Sequence, residues 1–289
     1  MNAVKKSKLK AILTTIGPVY AWMIIFLAIP LMIIVVFSFL SRGTYGTVEP
    51  DFQINNFIEL FQPMYLKVFW SSILIALVTT VFCLAIGYPF AYYVAMQTPK
   101  LRNKLMLFVI VPFWTNSLIR VYAWIILLRK EGLINHFLLS MNLIDEPLKL
   151  LYNYFGIIVG MVYTLIPFMI LPLYASIEKL EKQYLEAARD LGANSRNVFL
   201  HITLPLTMPG ITAGSMLVFI PTLGYFFIPD LMGGGKQMII GNLIKQQFLT
   251  ARNWPFGSAL AIVLIAMTLL LVLVYLKVFG GSKEDMEVL

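Results

Sequence analysis

Glu186-Ala187-Ala188-Arg189-Asp190-Leu191-Gly192, followed by Ile202 and then Leu204-Pro205, is a charged, helix-forming stretch between two strongly hydrophobic segments. From Ile177 to Leu191, the residues Leu180, Tyr184, Ala187, Ala188 and Leu191 recur on one helical face, with Glu181, Lys182, Glu186 and Arg189 elsewhere. Gly192 stands where a helix C-cap needs a left-handed residue. Asn194 or Ser195 can N-cap a second short helix carrying Val198, Phe199 and Ile202, which Pro205 is expected to end. The pattern predicts a helix–turn–helix elbow at the membrane surface. An interfacial helix that merely lies among lipid headgroups would want a lysine-rich polar face. This one mixes acids and bases evenly, which favours a docking surface for another protein.

The rest of the 289-residue chain is built for lipid. It is 60% hydrophobic and 12% charged, with mean hydropathy +0.83, whereas a soluble domain is about a quarter charged. Six segments are long enough to cross roughly 30 Å of hydrocarbon, which takes about 20 helical residues. They run approximately Ile12–Leu40, Val68–Met96, Leu105–Leu128, Phe155–Ile177, Met208–Ile228 and Gly257–Leu276, and the long loop 178–205 holds the elbow. With no interdomain linker or low-complexity tract, residues 1–289 read as a single transmembrane domain of all-α class. The first span follows Lys5, Lys6, Lys8 and Lys10 as a signal peptide would, yet its apolar run is too long and no small-x-small site follows. An uncleaved anchor is expected.

Lysine and arginine placement gives the orientation. The N-terminus, the 97–104 turn, the 178–203 loop and the C-terminal tail together hold more basic residues than the three other loops, thirteen against eight. Both termini and the elbow are therefore expected in the cytoplasm, in a multi-pass protein of the cell membrane. The net charge of +8 is scattered over short loops, which argues against a nucleic-acid partner. Cys83 is the single cysteine, and His136 and His201 fall in separate loops, so a metal site is not expected. Gly233-Gly234-Gly235-Lys236 resembles part of a P-loop, but Gln237 follows the lysine and Asp230 holds the place of the first glycine. No nucleophile–base pair is visible either, so neither nucleotide binding nor catalysis is expected of the chain.

Arg120 is the one formal charge within the spans, and a charge there is usually paired or functional. Some 15 residues into its helix, about 22 Å at 1.5 Å per residue, its side chain can snorkel to the outer interface or bond backbone carbonyls. Gly156-x-x-x-Gly160 and Gly210-x-x-x-Gly214 announce close helix packing, within the subunit or between subunits. Pro167, Pro172 and Pro221 either kink a packed bundle or bend helices that line a pathway.

The spacing E-A-A-x-x-x-G, followed some nine residues later by I-x-L-P, resembles the loop by which ABC importer permeases dock on a cytoplasmic ATPase. Pro112-Phe113-Trp114-Thr115-Asn116-Ser117-Leu118-Ile119-Arg120, Asp230-Leu231-Met232-Gly233-Gly234 and Trp254-Pro255-Phe256-Gly257 are similar to motifs of the spermidine/putrescine importer permeases, and the likeness runs from the first span to the sixth. The resemblance implies a six-transmembrane-helix type I ABC importer permease (MetI-like) fold with both termini inside. It implies a second homologous permease subunit, two ATPase subunits that hold ATP and magnesium, and an extracytoplasmic polyamine-binding protein, with no cofactor in this chain. Glu186, Ala187, Ala188, Asp190 and Gly192 would couple to the ATPase. Phe226, Phe227, Asp230 and Lys245 would line the substrate pathway, Phe227 standing where tyrosine is familiar, and Trp114 and Arg120 would be structural or lie on the pathway. A same-fold importer of iron, sulfate or an opine-like solute is the near alternative. A secondary transporter fits less well, because the spans hold no carboxylate.

Overall fold

The computed structural model describes residues 16–235 and 237–279. The predicted start of the first span at Ile12, the lysines of the N-terminal tail, Lys236 and the tail beyond Phe279 lie outside them. The helices in order are α1 Gly17–Ser38, α2 Asn55–Glu59, α3 Pro63–Ala95, α4 Pro99–Trp114, α5 Ser117–Leu128, α6 Leu133–Ser140 and α7 Tyr154–Glu178. They continue as α8 Lys182–Asp190, α9 Ser195–Leu206, α10 Met208–Gly224, α11 Phe227–Met232, α12 Ile240–Leu249 and α13 Trp254–Phe279. Among the described residues four helices can each cross a membrane by length and composition, and counting each of two bent pairs as one span gives six.

The described residues fall into two compact units: 16–65 with Leu243–Ala266, and Leu66–Asn242 with 267–279. In the first unit, strands β1 Ser41–Arg42 and β2 Val48–Glu49 form an antiparallel hairpin, an addition to the all-α expectation. Buried Asn56 donates from Nδ2 to the carbonyls of Ser38 and Leu40, each at 2.9 Å, and so ties α2 to the end of α1. Phe39 stacks on Phe52 at 5.3 Å, and Tyr65 meets Phe256 at 5.0 Å.

The second unit is organised on α7. Ile157, Met161, Leu165, Met169, Leu173 and Ile177 recur every fourth residue, and all are fully buried. That regular row is what packs into the groove of a neighbouring helix, and the neighbour is α10. A Cβ on Gly210 would lie 2.8 Å from the Pro172 carbonyl, and one on Gly214 3.1 Å from that of Met169. Gly160 likewise leaves room for Met232 and Ile228 of α11. Both small-residue pairs thus serve packing inside this chain.

Three predicted features are corrected. The third span is not one helix: α4 and the segment that begins at Ser117 meet at 95°. At the break the Pro112 carbonyl accepts from the Thr115 hydroxyl at 2.6 Å, and Asn116 Oδ1 accepts from the Leu118 amide at 2.8 Å. Thr-Asn-Ser is therefore a stop and a fresh N-cap. The fifth span ends at Gly224, because Tyr225 is extended (ψ 133°) and α11 starts anew at Phe227. The helix of the elbow does not stop at Pro205 but runs to Leu206, and the 64° bend falls at Thr207.

The reason Pro205 is tolerated recurs in α1. A five-residue π-helical turn, Phe199–Thr203, ends two residues before Pro205, and another, Ile24–Ala28, ends two residues before Pro30. Proline cannot donate to the carbonyl four residues back and its ring crowds that oxygen; a widened turn moves the carbonyl aside.

Candidate functional site

The elbow is held by its own small core of Leu185, Ala188 and Val198, with Leu180, Ala193 and Ile202 against them. Helix α8 closes with a Schellman motif: the Ala193 amide donates to the Ala188 carbonyl at 3.0 Å and the Gly192 amide to that of Arg189 at 2.9 Å. Gly192 carries the required positive φ, +85°. Asn194 then caps α9, its Oδ1 accepting from the Asn197 amide at 2.8 Å.

The apolar face read from the sequence is split between burial and exposure. Leu185 and Ala188 point inward, while Tyr184 is 53% exposed, Leu191 89% exposed, and Ala187 open to solvent as well. Tyr184, Ala187 and Leu191 share a face at helical spacing, and Glu186, Arg189, Asp190 and Gly192 are exposed around it. An apolar strip rimmed by charge is the make-up of a protein-binding surface. Beside it lies an open cleft of about 480 Å³, lined by Ser176, Lys179, Glu181, Tyr184, Leu206 and Gly210 among others. Two contacts tie this end to the bundle. Arg102 of α4 pairs with Glu178 at the end of α7 at 2.8 Å, and the buried Tyr88 and Thr207 hydroxyls are bonded at 2.9 Å.

The second candidate site lies where the fifth span breaks. Phe226 and Phe227 meet edge to face at 6.2 Å, Tyr225 and Phe227 at 5.3 Å. Asp230, half-buried in the first turn of α11, donates its amide to the Phe226 carbonyl at 3.1 Å. Its carboxylate accepts a hydrogen bond from Nδ2 of Asn242, which also donates to the Phe226 carbonyl at 2.8 Å. Asn242 was invisible in the sequence. The one cue was the pair Gly241-Asn242 opening an amphipathic helix. A Cβ on Gly241 would sit 2.6 Å from the Tyr225 carbonyl and 2.7 Å from that of Gly224, so the glycine lets α12 lie on the broken backbone. Asn242 Oδ1 is buried and has no hydrogen-bond partner among the described residues, an arrangement that costs about 1–3 kcal/mol. Lys245 follows one turn later on the same helix and is half-buried.

Arg120 does not snorkel. It is 9% exposed, its guanidinium carbon 5.7 Å from the Phe113 ring centre and 5.8 Å from that of Tyr163. The 95° break explains the difference, since Arg120 starts a new helix instead of riding 22 Å along one. Cation–π contact replaces hydration for such a charge, and its Nε is buried without a partner among the described residues. Trp114, the last residue of α4, is 77% exposed and joins none of these clusters.

Residues 87–279 match the family described as binding-protein-dependent transport system inner membrane component. The chain is 47% identical over 276 residues to the spermidine/putrescine transport system permease protein PotB of Escherichia coli (strain K12), which covers 96% of this chain and 99% of that one. It is 45% identical over 263 residues to the PotB protein of Haemophilus influenzae, covering 91% and 92%. The crystal structure of a bacterial alginate ABC transporter, in complex with an alginate pentasaccharide-bound periplasmic protein, shares the fold at TM-score 0.76 and 18% identity, over 95% of this chain and 94% of that one. The family match takes in the elbow, the broken fifth span and both short helices beyond it. The chain belongs to the binding-protein-dependent transport system inner membrane components.

Proposed function

We propose that this chain is the permease subunit of an ATP-driven importer of polyamines, the spermidine and putrescine class. The end-to-end likeness to the spermidine/putrescine permeases carries the assignment. In this reading an extracytoplasmic binding protein delivers the amine, a second homologous permease completes the path, and two ATPase subunits hold ATP and magnesium. Glu186, Ala187, Ala188, Asp190 and Gly192 form the coupling elbow. Phe226, Phe227, Asp230 and Lys245 belong to the outer part of the path, where a carboxylate offsets the desolvation of an ammonium and ring faces attract it.

Expressed with its partner subunits in cells lacking their own polyamine importer, the chain should restore uptake of labelled spermidine or putrescine. Background uptake of both, with restored uptake of iron, sulfate or an opine, would reassign the substrate.

The same reading puts the elbow in the cytoplasm. Asp145 precedes α7 and Arg196 follows it, and the 25 residues of that helix extend about 37 Å. In a Cys83→Ala background, Arg196→Cys and Asp145→Cys should label with an impermeant thiol reagent from opposite faces of the membrane. Labelling from one face would overturn both the topology and the docking role.

A further inference from the structure

The orphaned oxygen of Asn242 is the polar group that the proposed function leaves unexplained. Asn242 is 8% exposed. Its Nδ2 is committed twice, to the Phe226 carbonyl and the Asp230 carboxylate, and both are acceptors, so the amide cannot be turned round to satisfy its oxygen. Oδ1 has no partner among the described residues. A buried acceptor without a donor, beside a carboxylate in a family of transport proteins, points to a donor that comes and goes.

We propose that Asn242 is a substrate-binding residue, its Oδ1 and the Asp230 carboxylate together seating a terminal primary ammonium of the transported amine. This rests on the assignment of Asp230 to the pathway. One oxygen belongs to the Asn242 side-chain amide and the other accepts from that amide's nitrogen, so an ammonium arriving at one acceptor arrives beside the second, and bonds from a charged donor are the strong ones. A primary ammonium carries three N–H donors and a full charge, so it answers both the orphaned acceptor and the carboxylate. An anion such as sulfate meets two acceptors and is refused. Arrival of the ammonium competes for Asp230 with Nδ2, the group that also holds the Phe226 carbonyl at the break between α10 and α11. Recognition and loosening of that break are therefore the same event.

The test uses the assembled transporter at matched membrane levels, with Asn242→Leu, which keeps the branching and the number of heavy atoms, Asn242→Ser, which keeps an acceptor, and Asp230→Asn. Uptake of labelled putrescine at saturation should fall about tenfold in Asn242→Leu and no more than about threefold in Asn242→Ser. Equilibrium binding to the purified complex, without the binding protein, should show wild type holding putrescine at least fivefold tighter than its N,N,N′,N′-tetramethyl analogue, which keeps both charges but one N–H at each end. Asn242→Leu should lose that preference by weakening putrescine alone. A merely structural asparagine would weaken both ligands alike, and that result, or wild-type uptake by Asn242→Leu, overturns the proposal. Should Asn242→Leu fail to reach the membrane, Asn242→Ser carries the measurement, and a full loss of preference despite its hydroxyl counts against the proposal. Slow uptake in Asp230→Asn beside normal uptake in Asn242→Leu removes this inference alone. Normal uptake in Asp230→Asn removes the pathway assignment beneath it.

Discussion

Gly192→Ile should reduce the substrate-stimulated ATP hydrolysis of the assembled complex at least tenfold, while the binding protein keeps its ligand and the permease reaches the membrane. The cause is backbone geometry. Gly192 has φ +85°, and a Cβ built there meets no atom within 4 Å, so the new side chain has room. What it lacks is a permitted conformation: the left-handed region costs an ordinary residue about 1–2 kcal/mol and suits a β-branched one worst. The elbow has little to set against that. Its core is three buried side chains, Leu185, Ala188 and Val198, and α8, at nine residues, is too short to persist alone. Losing the Schellman bonds from Ala193 and Gly192 frees α8 to swing relative to α9, which moves Tyr184, Ala187 and Leu191 out of register with whatever they dock on. Gly192→Asn is the control, because asparagine tolerates positive φ; it should keep stimulation within about threefold. Wild-type stimulation in Gly192→Ile would mean that the elbow anchors the chain to the membrane surface and transmits nothing.

The elbow also shows where a sequence can be read and where it cannot. Its cap residues, Gly192 and Asn194, were legible because a cap is a local device whose partners lie within five residues. Its apolar residues were legible but not which of them are buried, because this helix carries two apolar strips. Periodicity cannot say that Leu185 and Ala188 face home while Tyr184 and Leu191 face out. The breaks in the spans were missed for a related reason. Hydropathy is a running average, and the apolar residues on either side of Thr115-Asn116-Ser117 outweigh three small polar ones that turn the chain by 95°. Among the described residues, the four helices straight enough to count singly each overlap a segment picked out by hydropathy. For Asn242 the adjacent glycine was the one cue, and it says nothing of partners. Its partners Asp230 and Phe226 lie 12 and 16 residues away, and nothing short of the fold brings them together.

Asp230→Asn should cut polyamine uptake about tenfold with little loss of protein in the membrane. The substitution is close to a pure change of charge. An amide oxygen can still accept from Nδ2 of Asn242, and the backbone bond from the Asp230 amide to the Phe226 carbonyl at 3.1 Å is untouched, so α11 keeps its place. What disappears is the negative charge that, on the proposed pathway, meets the ammonium as it sheds water. Two unit charges about 4 Å apart attract by roughly 4 kcal/mol where the effective dielectric constant is near 20, and part of that is spent on stripping the carboxylate itself. A tenfold loss corresponds to about 1.4 kcal/mol, which is the fraction expected to survive. Asp230→Glu, with the charge kept on a longer arm, should recover part of the rate. Lys245→Ala should alter uptake less than Asp230→Asn, because it removes no attraction for the cation. Uptake of labelled spermidine and putrescine in cells without their own importer decides the matter at matched expression. Unchanged uptake in Asp230→Asn would make this carboxylate a strut for the break in the fifth span, and the case for a polyamine would then rest on family likeness alone.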